Sequence, residues 1–174
     1  AMAPTLFILL LVAPMYSVAN LKGQNNVFGA PLRKCDRSAV ADSKFPTTGW
    51  KRTNLCTANT ADSGSHYICV NLPPGTAPNG ENFSPFWTTT GQAESEFIAT
   101  TYPKPGPWCI CMWAYRDMYA QHPEFDGYLN CEATNQWVID NYRISQPKEL
   151  AALKSVCKKC NVHSAKCSQA LAAA

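Results

Sequence analysis

The residues best suited to chemistry lie near the C-terminus of the chain. Cys157, Cys160, His163 and Cys167 place three sulfur atoms and one imidazole within eleven residues. The Cys-x-x-Cys step lets two thiolates reach one ion, and His163 with Cys167 can complete a tetrahedron. This donor set predicts a metal site, with zinc as the candidate ion. Disulfide bonds from this tail back to the rest of the protein are the alternative, and they would leave the protein without a cofactor.

A second group of reactive residues lies in the middle of the chain. Cys56, His66 and Cys69 could meet in space and bind zinc as a buried cluster of thiolates and imidazole. Cys56, His66 and Asp62 could instead act as nucleophile, base and orienting acid of a hydrolase. The simpler interpretation is that these cysteines form disulfides or pack as small apolar side chains. Because the chain has nine cysteines, at least one is unpaired if all the others form disulfides.

The sequence gives little other support for catalysis. It contains no nucleophile elbow, no glycine-rich phosphate loop and no His-Glu-x-x-His motif. We therefore expect that the protein is not an enzyme. Its five Trp, seven Tyr and seven Phe residues are more simply explained as core and as partly wet contact surface, which suits a subunit packed on partners.

Hydrophobic patterns predict the elements that position these residues. Short strands are predicted at 66–72, 97–102, 108–111 and 128–133, and helices at 113–121, 135–142 and 147–156. Ser145 is a candidate cap for the last helix, with Pro147 in its first turn. The sequence thus predicts a small, loop-rich, single α+β domain with a few short strands and two or three helices.

The N-terminal segment, residues 1–21, carries no charged residue. It can be an uncleaved secretory signal, a membrane anchor or span, or an apolar arm that binds a partner protein. A full span is marginal, because crossing a bilayer takes about 20 apolar residues and Pro4 and Pro14 interrupt this run. We expect an anchor or a partner-binding arm. The residues expected to contact lipid or a partner are Leu6, Phe7, Ile8, Leu9, Leu10, Leu11 and Val12.

Charged residues fall into three blocks that the net charge of +3 conceals. Residues 22–52 hold seven basic and two acidic side chains, residues 53–147 hold three basic and nine acidic, and residues 148–174 hold five basic and one acidic. A basic stretch after an apolar segment follows the positive-inside bias of membrane anchors. The basic residues are neither dense nor interleaved with aromatics, so we expect no nucleic-acid partner.

Several spaced motifs resemble a known family. They are Asn-Val-Phe-Gly at 26–29, Thr-Gly-Trp-Lys-Arg at 48–52, Asp-Ser-Gly-Ser-His at 62–66, Gly-Pro-Trp-Cys-Ile-Cys at 106–111 and Glu-Ala-Thr at 132–134. Over residues 26–153 they resemble a family of mostly short bacterial proteins catalogued as a domain of unknown function, DUF2237. Leu55 departs from the pattern, because it replaces the first residue of a Cys-Cys pair. The resemblance implies one compact domain and no particular activity, with new segments added at both ends.

These observations predict three regions: an apolar anchor or arm at 1–21, a single α+β domain at 22–156, and a Cys/His-containing tail at 157–174. The leading hypothesis is a non-catalytic accessory or structural subunit of a large membrane protein complex. Its partners would be the other subunits, together with membrane lipid at the N-terminus. Because the family it resembles also occurs in photosynthetic lineages, the expected complex is a plastid photosystem of the thylakoid membrane, with the folded domain on the stromal side.

Two alternatives belong to other functional classes. The first is a zinc or redox protein that uses the Cys/His tail, and the second is a secreted domain stapled by disulfides. Loss of metal on replacement of Cys160 or His163 would indicate the first. A mature chain that begins near Asn20 would indicate the second.

Overall fold

The computed structural model describes residues 25–76, 80, 82–92 and 101–173, and these form a small, loop-rich α+β domain, as the sequence predicts. In chain order the elements are β1 (Ile68–Leu72), α1 (Phe86–Thr89), β2 (Gly106–Ile110), α2 (Met112–Gln121), two 3-10 helices (Pro123–Tyr128 and Cys131–Ala133), α3 (Trp137–Asn141), α4 (Pro147–Lys159) and α5 (Ala165–Ala172).

The two strands form an antiparallel pair with two unlike faces. Cys69 lies opposite Cys109, and Val70 lies opposite Trp108. Because side chains alternate across a strand, one face contributes apolar residues to the main core against the helices, and the other contributes the two cysteines to a separate buried cluster. The second cluster consists of Cys35, Cys56, Cys69, Cys109 and Ala133. The sheet therefore separates a helical core from a cysteine core.

The helical core is built mainly where α2 packs against α4. Leu153 and Val156 of α4 are fully buried there. Two tyrosine hydroxyls tie the helices together: that of Tyr115 lies 2.9 Å from the Ser155 Oγ, and that of Tyr142 donates to the Met112 carbonyl at 2.6 Å. A buried hydroxyl without a partner costs free energy, so these bonds let large aromatic side chains fill the core.

The end of the chain belongs to the same core. The boundary expected at 156/157 falls inside α4, and α5 follows after a short turn in which the Ser164 Oγ accepts from the Cys167 N–H at 3.1 Å. Cys167 and Ala170 of α5 are buried in the main core. Helix α4 does begin at Pro147, but Ser145 does not cap it. Instead the Glu149 carboxylate reaches back and accepts from the Arg143 N–H at 2.8 Å.

One predicted strand differs from the structure, and another falls mostly outside the described residues. Residues 128–133 form 3-10 turns with only one isolated bridge, Val70 to Leu129, because the Asn130 side chain accepts from the Ala133 N–H and closes a turn there. Of the range 97–102 only Thr101 and Tyr102 are described, and neither is in a strand. The apolar segment 1–21 lies outside the described residues. No helix within the described ranges is long and apolar enough to cross a membrane.

A buried ion pair connects the loop before β1 to the start of β2. Arg37 is fully buried, and its guanidinium donates to Asp42 at 3.0 Å and to the carbonyls of Phe45, Lys104 and Pro107. Burial alone would raise the pKa of Asp42, but N–H donors from Lys104 and Phe45 and the charge of Arg37 outweigh burial and lower this pKa. The ion pair therefore stabilises the fold only while Asp42 is ionised.

Asp42→Asn should reduce the free energy of unfolding by about 3 kcal/mol, because it leaves the Arg37 charge buried without its counter-ion. Since the folded-state pKa of Asp42 is lowered, its contribution is complete above about pH 4 and is lost as the pH falls through the folded-state value. Urea unfolding of wild type between pH 2 and 7 should show this loss, and the variant should lack it.

The matched control for this experiment is Asp140→Asn, which removes an exposed carboxylate of α3 that forms no ion pair with a described residue. The control should unfold like wild type at every pH. Equal stability of Asp42→Asn and wild type at pH 7 would contradict the stabilising role of the pair.

Candidate functional site

The tail residues predicted to bind metal are not assembled around one point. Cys157 is bonded to Cys167, and Cys160 is bonded to Cys131 of the second 3-10 helix. His163 is exposed between them. A sulfur in a disulfide has no thiolate to offer a metal. The structure therefore has the alternative arrangement, in which disulfides tie the tail to itself and to the domain, and we propose no zinc site here.

The central cysteines do come together, but they are also disulfide-bonded. The sulfur atoms of Cys35, Cys56 and Cys69 lie within 4.8 Å of one another, a spacing that could suit a metal. The bonds Cys35–Cys69 and Cys56–Cys109 occupy these sulfurs. His66 is not part of this cluster, because its ring is engaged by Asp62. The predicted zinc cluster of Cys56, His66 and Cys69 is therefore absent from the described residues.

Asp62 and His66 form a dyad in the turn before β1. The Asp62 side chain is fully buried, and its two oxygens accept from the His66 N–H at 2.8 Å and pair with the His66 Nδ1 at 2.7 Å. The imidazole keeps 31% of its surface exposed. With Nδ1 directed at the carboxylate, Nε2 has no protein partner among the described residues. The turn thus fixes the orientation of the ring and leaves one nitrogen for another group.

A cavity of about 200 Å³ adjoins this imidazole. Its other walls are Gly49, Trp50, Arg52, Trp108 and Cys109. The Trp50 indole stacks on the His66 ring with centroids 6.2 Å apart, and the Arg52 guanidinium lies 5.2 Å from the centre of the Trp108 ring. The cavity therefore combines two aromatic walls with an imidazole and an exposed guanidinium.

Two hydrogen bonds between Thr48 and Asn54 close the loop that carries Trp50 and Arg52. The Asn54 N–H donates to the Thr48 carbonyl, and the Asn54 side chain accepts from the Thr48 N–H at 2.9 Å. The Thr48 hydroxyl accepts in turn from the Cys109 N–H of β2. At Gly49, with φ +83°, an added Cβ would lie 2.3 Å from the Leu55 carbonyl oxygen, so no larger side chain fits. The loop is therefore positioned directly on the sheet.

Backbone strain is concentrated around the same cavity. Arg52, Asn54 and Ser65 all adopt positive φ, at 54°, 61° and 51°. Asn tolerates this region, whereas Arg and Ser rarely adopt it. Such residues cost about 1–3 kcal/mol each and collect at functional sites, where the surrounding structure maintains them. Arg52 is itself part of the cavity wall, and Ser65 directly precedes His66, which is also part of it.

The predicted hydrolytic arrangement lacks its nucleophile. Asp62 and His66 do pair, but Cys56 is bonded to Cys109. The free cysteine is Cys111, which lies just after β2 at the start of α2 and is buried in the main core. Burial, and then the negative charge of Asp62, raise the pKa of Cys111 to about 11. It is therefore a neutral thiol at neutral pH, and the described part of the chain offers the dyad no activated nucleophile.

A second exposed surface lies where the chain enters the domain. Phe28 and Tyr128 are 50% and 40% exposed, and both line a shallow depression of about 480 Å³. The depression continues over Asn71, Leu129 and Glu132. We call this the Phe28/Tyr128 surface. Sequence reasoning assigned no role to either aromatic, and it also assigned none to Trp50 or Arg52, because exposure of a single side chain has no periodic signal in the sequence.

Comparison with known proteins gives a family and no activity. A family model described as "Uncharacterized protein conserved in bacteria (DUF2237)" matches residues 25–151, well over half of the chain. Among curated proteins, none matches. The matched range contains the Asp62–His66 dyad, the cavity beside it and the Phe28/Tyr128 surface, whereas most of α4 and all of α5 follow it.

Gly64→Ala should disrupt the dyad. A Cβ on Gly64 would lie 2.4 Å from the His66 Cε1, so the ring must rotate away and leave the buried Asp62 Oδ1 without its partner. We expect the free energy of unfolding to fall by about 1–3 kcal/mol and the His66 ring resonances to shift in NMR spectra.

Gly127→Ala is the control for this substitution, because nothing lies within 4 Å of a Cβ at that position. It should unfold like wild type and leave the His66 resonances in place. Unchanged His66 resonances in Gly64→Ala would contradict the close approach of the His66 ring to position 64.

Proposed function

The chain belongs to the DUF2237 family, and on that premise we propose that it is a non-catalytic accessory or structural subunit of a large membrane protein complex. The observation that carries this proposal is the Phe28/Tyr128 surface, whose Phe28 lies three residues after Asn25, the first described residue. Segment and surface together would give the protein one continuous attachment side.

The N-terminal part of the domain is rigid enough to present such a surface. The Gln136 N–H donates to the Asn25 carbonyl, and the Val27 N–H donates to the Thr134 carbonyl. The Asn26 side chain accepts from the Phe28 N–H at 3.0 Å, which fixes the turn that exposes Phe28. An aromatic side chain held on a rigid turn loses little conformational entropy on binding, and exposed aromatics of this kind dominate the energy of protein contacts.

The apolar segment supplies the second attachment. The residues Leu6 to Val12 lie outside the described ranges, and their expected contact with lipid or partner subunits remains part of the proposal. Twelve residues separate Val12 from Asn25, so an anchor in lipid or protein would tether the Phe28/Tyr128 surface to the same complex. Two linked contacts bind far more tightly than either alone.

The side of the membrane is proposed from two opposing observations. The basic residues after the apolar segment favour the stromal or cytoplasmic side. Four disulfides favour a compartment in which thiols are oxidised. Since four covalent bonds are a stronger constraint than a charge bias, we propose the oxidising side. A plastid photosystem of the thylakoid remains the specific complex we propose, and it rests on the family resemblance.

The disulfides also favour a second candidate, a secreted domain stapled by its cysteines. Nothing in the Phe28/Tyr128 surface requires a membrane, and a released protein would keep the same fold. The two candidates differ in whether the N-terminal segment is retained and in the size of the native assembly, so one experiment separates them.

We would solubilise native membranes in mild detergent, separate the complexes on a native gel, and locate the chain by mass spectrometry. The proposal expects comigration with a large complex and peptides from residues 1–21. A small soluble species whose chain begins near Asn20 would contradict it and support the secreted domain.

The double substitution Phe28→Ser with Tyr128→Ser should reduce the fraction of protein in the large complex by about tenfold or more, because it removes two exposed aromatic contacts. Its matched control is Trp113→Ser, which removes an aromatic that is 38% exposed in α2, away from the surface. Both variants should keep the wild-type thermal midpoint. Retention of the double variant in the complex would eliminate the surface as the contact.

A further inference from the structure

We propose that Trp50, Arg52 and His66 form a binding site for a small organic oxyanion, a carboxylate or a phosphate monoester. This site is separate from the attachment surface proposed above and does not depend on it. The proposal rests on the charges, the exposed ring faces, the volume and the backbone of the cavity beside the Asp62–His66 dyad.

The dyad supplies the first donor to the anion. The Asp62 carboxylate is fully buried and pairs with the His66 Nδ1 at 2.7 Å. When both ring nitrogens carry a proton, Nδ1–H faces Asp62 and the second N–H, at Nε2, has no protein acceptor among the described residues. A ring nitrogen so arranged is a donor for an oxygen of the ligand.

Arg52 supplies the second donor. Its guanidinium lies over the Trp108 ring, and it forms no ion pair with a carboxylate of the described residues. Stacking on an aromatic face holds the flat guanidinium while its N–H groups stay available. Guanidinium geometry matches the two oxygens of a carboxylate or phosphate. An imidazole and an arginine that line one cavity therefore favour an oxyanion.

Trp50 and the cavity volume describe the rest of the ligand. The indole is 46% exposed and stacks on His66, so part of its surface is open to an apolar or unsaturated group. The cavity holds about 200 Å³, less than the roughly 300 Å³ at which pockets for drug-sized ligands begin. The ligand is therefore a small molecule with one charged end and a flat body.

The same contacts argue against a metal ion and a hydrolytic site. A carboxylate-bound imidazole often binds metal, but the Arg52 charge repels a cation and the cavity wall provides no second ligand, since Cys109 is bonded to Cys56. That disulfide also removes the nucleophile that a hydrolase would need.

The strained backbone supports the assignment independently of the side chains. Arg52 itself has φ 54°, and Ser65, which precedes His66, has φ 51°. Glycine would adopt both conformations at less cost. Residues that bear this cost while holding two donors at one cavity are typical of a binding site.

The test is a titration of the full chain, in a neutral detergent, with phenyl phosphate as the probe. We expect saturable shifts of the Trp50 indole N–H and the His66 ring resonances in NMR spectra. Inorganic phosphate should bind more weakly, because it leaves Trp50 uncovered, and uncharged benzyl alcohol should produce no saturable shift.

Arg52→Gly is the decisive variant, because it removes the guanidinium and also relieves the positive φ. We expect binding of phenyl phosphate to weaken about tenfold or more, with a thermal midpoint equal to or above that of wild type. Arg33→Gln is the matched control: it removes another exposed positive charge, one that pairs with Glu132 elsewhere, and it should bind like wild type.

Three results would overturn the proposal. They are the absence of saturable shifts with phenyl phosphate in wild type, equal binding by Arg52→Gly and wild type, and equal binding of benzyl alcohol and phenyl phosphate. Equal affinity for inorganic and phenyl phosphate would contradict the contact with Trp50.

Discussion

The pair of disulfides that meets on one face of the β1–β2 ribbon is the constraint on which the rest of the structure depends. Residues 32–67 contain no helix and no strand, so few regular hydrogen bonds oppose their conformational entropy. Cys35–Cys69 and Cys56–Cys109 bridge 34 and 53 positions and fasten this long segment to adjacent strands. In a chain-entropy account each loop closure contributes about 4 kcal/mol. Two such bonds can hold a segment that its own apolar contacts would not.

The proposed binding site depends on this anchoring. The loop with Trp50 and Arg52 ends at Cys56, and the Asp62–His66 turn lies between Cys56 and Cys69. The cysteine cluster thus sets the distance between the two donors of the cavity, much as a rigid scaffold positions loops for binding. On the other side of the ribbon the helical core is closed by two further disulfides, Cys131–Cys160 and Cys157–Cys167. Cys131 lines the Phe28/Tyr128 surface, so the first bond joins this surface to the end of α4, and the second joins α4 to α5.

The sequence predicts the features whose pattern lies within one short segment, and it does not predict those that join distant segments. Strand β1, strand β2 with α2, and helices α3 and α4 have clear apolar patterns, and the structure has elements at all of these positions. The range 128–133 resembled a strand, but a side-chain bond from Asn130 closed a turn instead. The Cys-x-x-Cys step of the tail indicates metal ligands and no helix, so the sequence does not predict α5, which has a Ser164 cap and alanine-rich turns. Disulfide partners, the cavity and the exposed aromatics involve residues far apart in the chain, and no pattern in one segment could indicate them.

The measurement that tests this account most directly is a disulfide map of the native protein. The chain would be alkylated under non-reducing, denaturing conditions, digested, and analysed by mass spectrometry. The account predicts linked peptides for Cys35–Cys69, Cys56–Cys109, Cys131–Cys160 and Cys157–Cys167, with Cys111 as the alkylated residue. Alkylation of Cys35 or Cys56, or a link from either to a different partner, would contradict it, because the long segment would then lack the bonds that hold the cavity together.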